Sequence, residues 1–305
     1  MRHVIAIDIG GTKTIGSLFD EDKNIIEEKR FPTNPKAGPE NLLNSLFSVI
    51  EEFLKEYTVD CISVGSAGRI NINDGSVFFA SDNIPGWTGV RIRDILEERY
   101  HIPVVVENDC KVAGYGEEWN GSAQGLDNYI CITLGTGVGA AVKSEGKMIH
   151  GSHYSAGELG HIILHPNGRQ CNCGLKGCVE QYCSGTALTK IYNDKAEKKI
   201  ETGYDFFELV RNKDELALSV LDGFVDDLFN VILTLTNSYD PDRIIIGGGL
   251  IDTREYWWDK LMEKVNGSAI SKLFKVDVVP ASLGNKAGIY GAAYLGFKTL
   301  EEMGE

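Results

Sequence analysis

The chain has 305 residues, a length that favours two domains over one, and its 43% hydrophobic and 24% charged residues are typical of a globular protein with a substantial core. The formal net charge of −14 argues against nucleic acid as a partner, because affinity for a phosphate backbone depends on clustered Lys and Arg. The apolar run after Met1–His3 is too short for a signal peptide or a membrane span, so we expect a cytoplasmic protein with no membrane contact.

The first part of the chain is predicted to begin with β-strands and to continue with alternating helices and strands. The predicted strands are Val4–Ile9, Thr14–Phe19, Ile25–Phe31, Cys61–Gly65 and Pro103–Glu107. The predicted helices are Pro39–Tyr57, Gly89–Tyr100 and Asn108–Trp119. Because only a tight glycine turn separates the first two strands, we expect them to pair antiparallel.

The second part repeats this beginning, with predicted strands at Tyr129–Leu134 and Val138–Lys143 around another glycine turn. A segment rich in cysteine and glycine follows, and then come helical patterns. The last predicted elements are the helix Leu216–Tyr239, the strand Arg243–Ile246 and the helix Ala287–Leu300. A polar, glycine-rich stretch at Asn120–Gly125 indicates a domain boundary, so we expect two lobes with a cleft between them.

Three glycine turns follow apolar strands, and together they indicate a nucleotide site. Their residues are Asp8, Gly10, Gly11, Thr12 and Lys13 in the first, Gly135, Thr136 and Gly137 in the second, and Gly247, Gly248 and Gly249 in the third. Glycines let a backbone approach phosphate closely, and Asp8 is placed to hold Mg²⁺ through its water shell. Any one of these turns would be read most simply as a hairpin.

The common nucleotide fingerprints are absent, since there is neither a G-x-x-x-x-G-K-[ST] loop nor a G-x-G-x-x-G that opens a helix. The pattern instead resembles the actin-like ATPase superfamily, in which two related lobes each contribute a glycine-rich hairpin to the phosphates of ATP. This resemblance implies that Gly247–Gly249 lie near the adenosine.

Four metal-ligand side chains lie within eighteen positions: His161, Cys171, Cys173 and Cys178. One imidazole and three thiolates suit a closed tetrahedral zinc site, and four protein ligands make the ion structural, because no position stays open for water. The second nitrogen of His161 would then be oriented to bind a hydroxyl. Buried free cysteines are the alternative, and we predict that fate for Cys61, Cys110, Cys131 and Cys183.

A group of carboxylates and amides could bind a sugar and act on it. Glu107-Asn108-Asp109 ends a strand and opens a helix, where Asn108 or Asp109 could simply cap the helix. The functional interpretation makes Asp109 a general base that the helix N-terminus keeps ionised. The zinc site would bring Glu158 and Glu180 together. The predicted polyol-binding set is Asn83, Asn108, Asp109, Glu158, His161 and Glu180.

These motifs together are similar to those of the ROK family (repressors, open reading frames, kinases), over essentially the whole chain. The similar stretches are Asp8–Lys13, Asn83–Trp87, Glu107–Asp109, Gly157–His161 and Cys171–Glu180. The resemblance implies an α/β fold of the two-lobe actin-like ATPase (ribonuclease H-like) type, with an interlobe cleft and a zinc knuckle. Its smaller lobe would hold 1–119 with a C-terminal helix at about 290–305, and its larger lobe 120–289.

The resemblance also implies an activity, namely phosphoryl transfer from MgATP to a sugar 6-hydroxyl by a protein that forms homodimers. Asp109 matches the catalytic base of the family, and His161, Cys171, Cys173 and Cys178 match its zinc ligands. The sugar ligands of the family match Asn83, Asn108, Glu158, His161 and Glu180, and the loop that begins at Gly65 lies on the sugar side.

Two departures from the family pattern concern the choice of sugar. Ala67 stands where proline is usual, and Lys111 stands where a small or amide residue is common. Glucose is the favoured substrate, with N-acetylmannosamine and N-acetylglucosamine as alternatives. A sugar-responsive regulator is the alternative class. Family regulators carry a helix-turn-helix domain before the first glycine motif, which here begins at residue 8, so we expect a kinase.

Overall fold

The structure is a computed structural model that describes residues 1–10, 13–81, 84–268 and 276–304. The chain divides into two units. The first comprises Met1–Gln124, His150–Ala156 and Lys286–Glu305, and the second comprises Gly125–Ile149 and Gly157–Asn285. Sequence reasoning places 150–156 in the larger lobe, whereas this segment belongs to the first unit, where His150 and Tyr154 have their hydrogen-bond partners. Every helix in the described ranges is too short or too polar to cross a membrane.

Each unit begins with three successive strands and continues with both helices and strands. The strands are β1 His3–Ile9, β2 Lys13–Asp20, β3 Ile25–Pro32, β4 Cys61–Ser66, β5 Arg69–Asn71, β6 Ser76–Phe79, β7 Val104–Asn108, β8 Tyr129–Leu134, β9 Val138–Ser144, β10 Lys147–Met148, β11 Arg243–Gly247 and β12 Asp277–Pro280. The helices are α1 Pro39–Leu54, α2 Ile92–Tyr100, α3 Asp109–Asn120, α4 Glu180–Cys183, α5 Gly185–Lys195, α6 Gly203–Arg211, α7 Glu215–Tyr239, α8 Trp258–Gly267 and α9 Ala287–Met303. The predicted elements recur here with ends shifted by a few residues.

The two units contain sheets of the same topology. The strand order is β3-β2-β1-β4-β7 in the first and β10-β9-β8-β11-β12 in the second. In each, an antiparallel hairpin around a glycine turn leads into two parallel strands. The predicted antiparallel pairing of β1 with β2 is confirmed, and the internal repeat is confirmed at the level of topology. The β5–β6 hairpin is an addition to the first unit that the sequence analysis did not predict.

The central strands read as continuous apolar runs because neighbouring strands and helices cover them on all sides. Val4–Ile7 in β1 are fully buried between β2 and β4. Helix α1 covers this sheet with an apolar stripe at helical spacing, and its buried side chains are Leu42, Leu46, Val49, Ile50 and Phe53. Each such buried side chain contributes roughly 1.5–3 kcal/mol relative to an exposed one.

Helix α9 returns the end of the described chain to the first unit, where it crosses α3 at very short range. A Cβ on Gly116 would come within 2.0 Å of the Ala287 carbonyl oxygen, and one on Gly291 within 1.7 Å of the Val112 oxygen. Glycine at both positions therefore permits a backbone-to-backbone approach that any side chain would prevent. The small residues of the predicted helix Ala287–Leu300 have this packing function.

In the second unit, the 25-residue helix α7 is the main packing surface. The side chain of Asp214 caps its first turn by accepting from the Ala217 N–H at 2.8 Å, and Asp240 ends it in the left-handed conformation with φ 45°. Its buried face packs against the buried Phe206 of α6 and the fully buried Trp257 ahead of α8. This core holds the ends of β8 and β11, where two of the glycine turns lie.

Candidate functional site

The first glycine turn lies between β1 and β2, with Asp8 at its start. Asp8 faces Gly65 across the parallel β1–β4 pair, and a Cβ on Gly288 would come within 2.8 Å of the Asp8 Oδ2. Gly288 therefore leaves room for the carboxylate at the beginning of α9. Sequence reasoning missed this residue, because its partner lies 280 positions away along the chain. Gly10 directly follows β1.

Four predicted site positions cannot be placed in full. Gly11, Thr12 and Asn83 lie outside the described residues, as does the side chain of Lys13. Near Asn83, the fully buried Trp87 donates its indole N–H to the Ser66 Oγ at 3.0 Å. This bond joins the end of the Asn83–Trp87 motif to the loop that begins at Gly65.

The carboxyl ends of three parallel strands bring several predicted residues to one edge of the first sheet. Gly65 pairs with Asp8 on one side and with Glu107 on the other. Because neighbouring strands lie about 4.8 Å apart, the backbones of Asp8 and Glu107 are roughly 10 Å apart at this edge. Gly65 is fully packed between them, with the Val112 side chain 3.4 Å from the position of a Cβ.

Asn108 caps α3, as one of the two sequence-level interpretations proposed. Its Oδ1 accepts from the N–H groups of Cys110 and Lys111, both at 3.1 Å. Its Nδ2 donates to the Gly68 carbonyl at 2.9 Å and to the Asp109 Oδ1 at 3.0 Å. The amide therefore uses both donors and both acceptor positions, so a sugar hydroxyl would have to replace one of these bonds.

Asp109 is the first residue of α3, and its carboxylate is held by the start of that helix. The Oδ1 accepts from the Cys110 N–H at 2.8 Å as well as from Asn108. These two donors fix the orientation of the carboxylate at the positive end of the helix dipole. Lys111, one of the two departures from the family pattern, is buried with only 3% of its surface exposed.

Sequence reasoning overlooked the hydrogen-bonded pair of Glu107 and His150 beside Asn108 and Asp109. Glu107 is 4% exposed and accepts from the Asn108 N–H at 2.7 Å through Oε1. Its Oε2 lies 2.6 Å from the His150 Nε2. Glu107 belongs to the Glu-Asn-Asp motif, whereas the spacing of 43 residues gives no sequence signal for His150.

The second glycine turn joins β8 to β9 in the second unit. Its ends are closed by a hydrogen bond from the Gly135 N–H to the Gly137 carbonyl at 2.9 Å, and Thr136 is exposed at its tip. The Glu180 Oε2 accepts from the Val138 N–H at 3.1 Å. Glu180, which was predicted beside the metal site, thus also contacts a predicted phosphate turn.

The third glycine run packs against the second turn. A Cβ on Gly248, whose φ is 82°, would come within 2.4 Å of the Leu134 carbonyl oxygen at the end of β8. Gly247 ends β11 beside Thr133 of β8, and Gly249 opens a short 3₁₀ helix. The structure therefore brings together the two glycine sequences of the second unit, as a shared nucleotide site would require.

The predicted zinc ligands converge. One ligand atom from each of His161, Cys171, Cys173 and Cys178 lies within 4.8 Å of all the others. The His161 Nδ1 is 3.8 Å from the Cys171 Sγ, and the Cys173 and Cys178 sulfurs are 3.6 Å apart. Sulfurs that share a tetrahedral zinc ion through bonds of about 2.3 Å are roughly 3.7 Å apart, so the donor set and its spacing fit this metal.

Local hydrogen bonds shape the metal loop. Cys171 and Leu175 close a tight turn through an N–H···O bond of 2.8 Å, with Gly174 at φ 92° inside it. Burial, with hydrogen bonds and repulsion from the neighbouring cysteine sulfurs, raises the pKa of Cys178 to about 12. A thiolate there therefore needs a cation nearby.

The other nitrogen of His161 points away from this cluster. Its Nε2 lies 4.0 Å from the Glu158 Oε2, so one imidazole nitrogen faces the sulfurs and the other faces a carboxylate. Gly160 packs this segment on the second glycine turn, because a Cβ there would come within 2.2 Å of the Val138 oxygen. The dual role of His161 as metal and sugar ligand stays a prediction.

The remaining cysteines were predicted to be packing residues. Cys61, Cys131 and Cys183 are buried, as predicted. Cys110 differs, since it is partly exposed at the start of α3 beside Asp109. Burial raises the pKa of Cys61 to about 12 and that of Cys183 well above its usual value, which keeps both as neutral thiols.

The sequence profile of the ROK family matches residues 4–298, so the chain belongs to the ROK family. A glucokinase of Streptomyces coelicolor is 33% identical over 314 residues, which is 97% of this chain and 98% of the relative. A ROK family glucokinase from Streptomyces griseus, solved in complex with glucose and AMPPNP, has a TM-score of 0.82 and 32% identity, with 97% of this chain and 99% of that chain covered. The mixed α/β fold is thus that of ROK sugar kinases.

A relative that is named for a different sugar is almost as similar to this chain as the glucokinases are. An N-acetyl-D-glucosamine kinase of Citrobacter koseri is 29% identical over 303 residues, which is 94% of this chain and 97% of the relative. The family assignment alone therefore does not fix the sugar.

Proposed function

We propose that this protein is an ATP-dependent glucokinase that transfers the γ-phosphate of ATP to the 6-hydroxyl of glucose. The observation that carries this proposal is the position of Asp109, a carboxylate at the end of β7 and the start of α3, within a chain that resembles glucokinases over nearly its whole length. The homodimer, the interlobe cleft, the cytoplasmic location and the absence of nucleic-acid binding stay predictions.

In the proposed mechanism, Asp109 accepts the proton of the sugar 6-hydroxyl while the hydroxyl oxygen attacks the γ-phosphorus. The bond between that phosphorus and the bridging oxygen breaks, and ADP leaves. Phosphoryl transfer depends on positioning and charge neutralisation more than on covalent help from the protein. Asn108 and the Cys110 N–H hold the Asp109 carboxylate in its orientation.

The glycine turns are the proposed nucleotide site. Backbone N–H groups at 10–13 and 135–137 would bind phosphate oxygens, and Gly247–Gly249 would lie near the adenosine. Asp8 would hold Mg²⁺ together with those oxygens, and the ion would neutralise charge on the transferred group. A Cβ on Gly137 would contact the carboxylate of Glu180, and one on Gly288 would contact that of Asp8, so glycine at each position leaves room for the carboxylate.

The proposed sugar ligands are Gly65, Asn83, Asn108, Asp109, Glu158, His161 and Glu180. Zinc, held by the three cysteines and the His161 Nδ1, would be a structural ion that fixes the imidazole. The His161 Nε2 and the carboxylate of Glu158, 4.0 Å apart, would then face sugar hydroxyls as a prearranged pair. Carboxylates that accept from hydroxyls discriminate strongly against analogues that lack them.

An N-acetylhexosamine kinase is the second candidate, supported by the similarity to the N-acetyl-D-glucosamine kinase. A coupled ADP-release assay with MgATP and a panel of hexoses and N-acetylhexosamines tests both. Turnover that is fastest with glucose would support the first candidate, and turnover that is fastest with an N-acetylhexosamine would support the second. Sugar binding by calorimetry without ADP release would favour a sugar-responsive regulator.

A further inference from the structure

The buried carboxylate of Glu107, two positions before the proposed base Asp109, has two hydrogen-bond partners. The side chain of Glu107 is 5% exposed, and both of its oxygens are engaged, one by the Asn108 N–H and the other by the His150 Nε2. An ionised carboxylate can only accept, so His150 donates through Nε2–H. A buried charge is costly unless its hydrogen bonds are complete, so the loss of either partner would make Glu107 turn away.

The hydrogen bonds continue from Glu107 to the base. The peptide N–H of Asn108 is fixed by Glu107, and the Asn108 side chain donates to the Asp109 Oδ1 at 3.0 Å while it caps α3. The series therefore runs from His150 through Glu107 and Asn108 to Asp109. Within this series, Glu107 contacts the backbone of Asn108, and the side chain of Asn108 contacts Asp109.

His150 comes from a distant part of the chain. It begins the His150–Ala156 segment, which is a part of the first unit although the residues on both sides belong to the second. A second anchor holds this segment, because the Asn73 Nδ2 donates to the Tyr154 hydroxyl at 3.0 Å and the Tyr154 ring packs edge-on against Phe78. These contacts of Tyr154 hold the segment that carries His150, whose side chain is only 17% exposed.

We propose that Glu107 and His150 are positioning residues for the phosphoryl-transfer reaction, which act by fixing the orientation of the Asp109 carboxylate. This role rests on the proposed function. Without the His150 N–H, the Glu107 carboxylate loses one of its two partners, and the Asn108 N–H loses an acceptor of fixed orientation. Asp109 then spends less time aligned with the sugar hydroxyl, which slows the chemical step without affecting the glycine turns.

The kinetic test compares His150→Ala with two further variants. His153→Ala is the matched control, because His153 is exposed in the same segment. His150→Gln is the conservative variant, since its amide N–H can still donate to Glu107. Misplacement of a catalytic group by about 1 Å can cost roughly 100-fold. We expect His150→Ala to lower kcat by about 10- to 100-fold with the KM for ATP nearly unchanged. His150→Gln should recover most of the loss, and His153→Ala should match the wild type.

A second measurement does not depend on activity. Amide hydrogen exchange at Asn108 and Cys110 should be faster in His150→Ala and close to wild type in His150→Gln. Unchanged exchange and unchanged kcat in His150→Ala would overturn the positioning role. So would a loss of kcat that follows the melting temperature and raises the KM for ATP in parallel. A wild-type enzyme with no sugar-dependent turnover would overturn the proposed function, while the exchange result would still show whether His150 orders the residues around Asp109.

Discussion

Glu180 and Val138 are joined by a hydrogen bond from the Val138 N–H to the Glu180 carboxylate at 3.1 Å. The bond connects the residue two positions after the last cysteine of the metal loop to the first residue after the second glycine turn. The same oxygen lies 2.4 Å from the position of a Cβ on Gly137, so only glycine leaves it in place. Glu180 thus connects a proposed sugar-binding segment to a proposed phosphate-binding turn.

This connection predicts that Glu180→Gln weakens sugar binding without loosening the fold. The Gln oxygen can still accept from Val138, whereas the charge that would bind a sugar hydroxyl is gone. A hydrogen bond to a charged group is worth about 1.5–3 kcal/mol, so the sugar KM should rise by roughly tenfold or more. The melting temperature should stay at the wild-type value. The exposed Glu197→Gln in the same unit is the control, and an equal sugar KM in both variants would exclude Glu180 as a sugar ligand.

Asp109→Asn should remove the proposed base and keep its hydrogen-bond acceptor. Loss of general-base catalysis typically costs about 10²–10⁴-fold, so kcat should fall by that range while the calorimetric affinity for the sugar largely remains. Asp94→Asn, at an exposed position in the first turn of α2, controls for the change of charge at a helix start. Near wild-type turnover in Asp109→Asn would show that another group accepts the proton.

The metal site predicts about one zinc ion per chain by elemental analysis of the purified protein. Cys178→Ser should lose the zinc and lower the melting temperature, because structural zinc sites contribute directly to folding. Cys183→Ser is the matched control: Cys183 is also fully buried, but it lies outside the cluster. If the zinc content of Cys178→Ser equalled that of the control, the proposed ligand set would be wrong.

Gly288→Ala should disturb the Asp8 carboxylate, because the added Cβ would lie 2.8 Å from its Oδ2. We expect a higher Mg²⁺ requirement and a higher KM for ATP, with the sugar KM much less affected. Gly223→Ala is the control. A Cβ there meets nothing within 4 Å on an exposed part of α7, so this substitution should not disturb any neighbour. It should stabilise the protein by about 0.5–1 kcal/mol. If both variants had the same KM for ATP, the Asp8 assignment would lose its support.

Much of the fold could be predicted from local pattern, because the hydrophobic runs and glycine turns that define β1, β2, β8 and β9 are short-range signals. The β5–β6 hairpin was missed because it lacks such a short-range signal. Only Ile70 and Val77 of this hairpin are buried, too few to show an alternating pattern, and its stability comes from packing on residues far along the chain.

Site residues could be predicted from the sequence where residue type and spacing alone indicate a chemical role. The ligand type and spacing of His161 and the three cysteines predict a metal site. Glu107, His150 and Gly288 could not be found in this way, because their roles depend on partners that only the fold supplies. Asn108 gave an ambiguous signal for a physical reason: the same amide caps α3 and contacts Asp109, so both interpretations describe one side chain.

The return of α9 to the first unit has a consequence for synthesis. Val4 of β1 packs against Gly296, and Asp8 packs against Gly288, so β1 has partners in a helix that is synthesised nearly 280 residues later. Domains usually fold in the order of their synthesis. Here the N-terminal sheet must keep an uncovered face until residues 287–303 have been made. Strand β1 is therefore translated long before α9 can complete its packing.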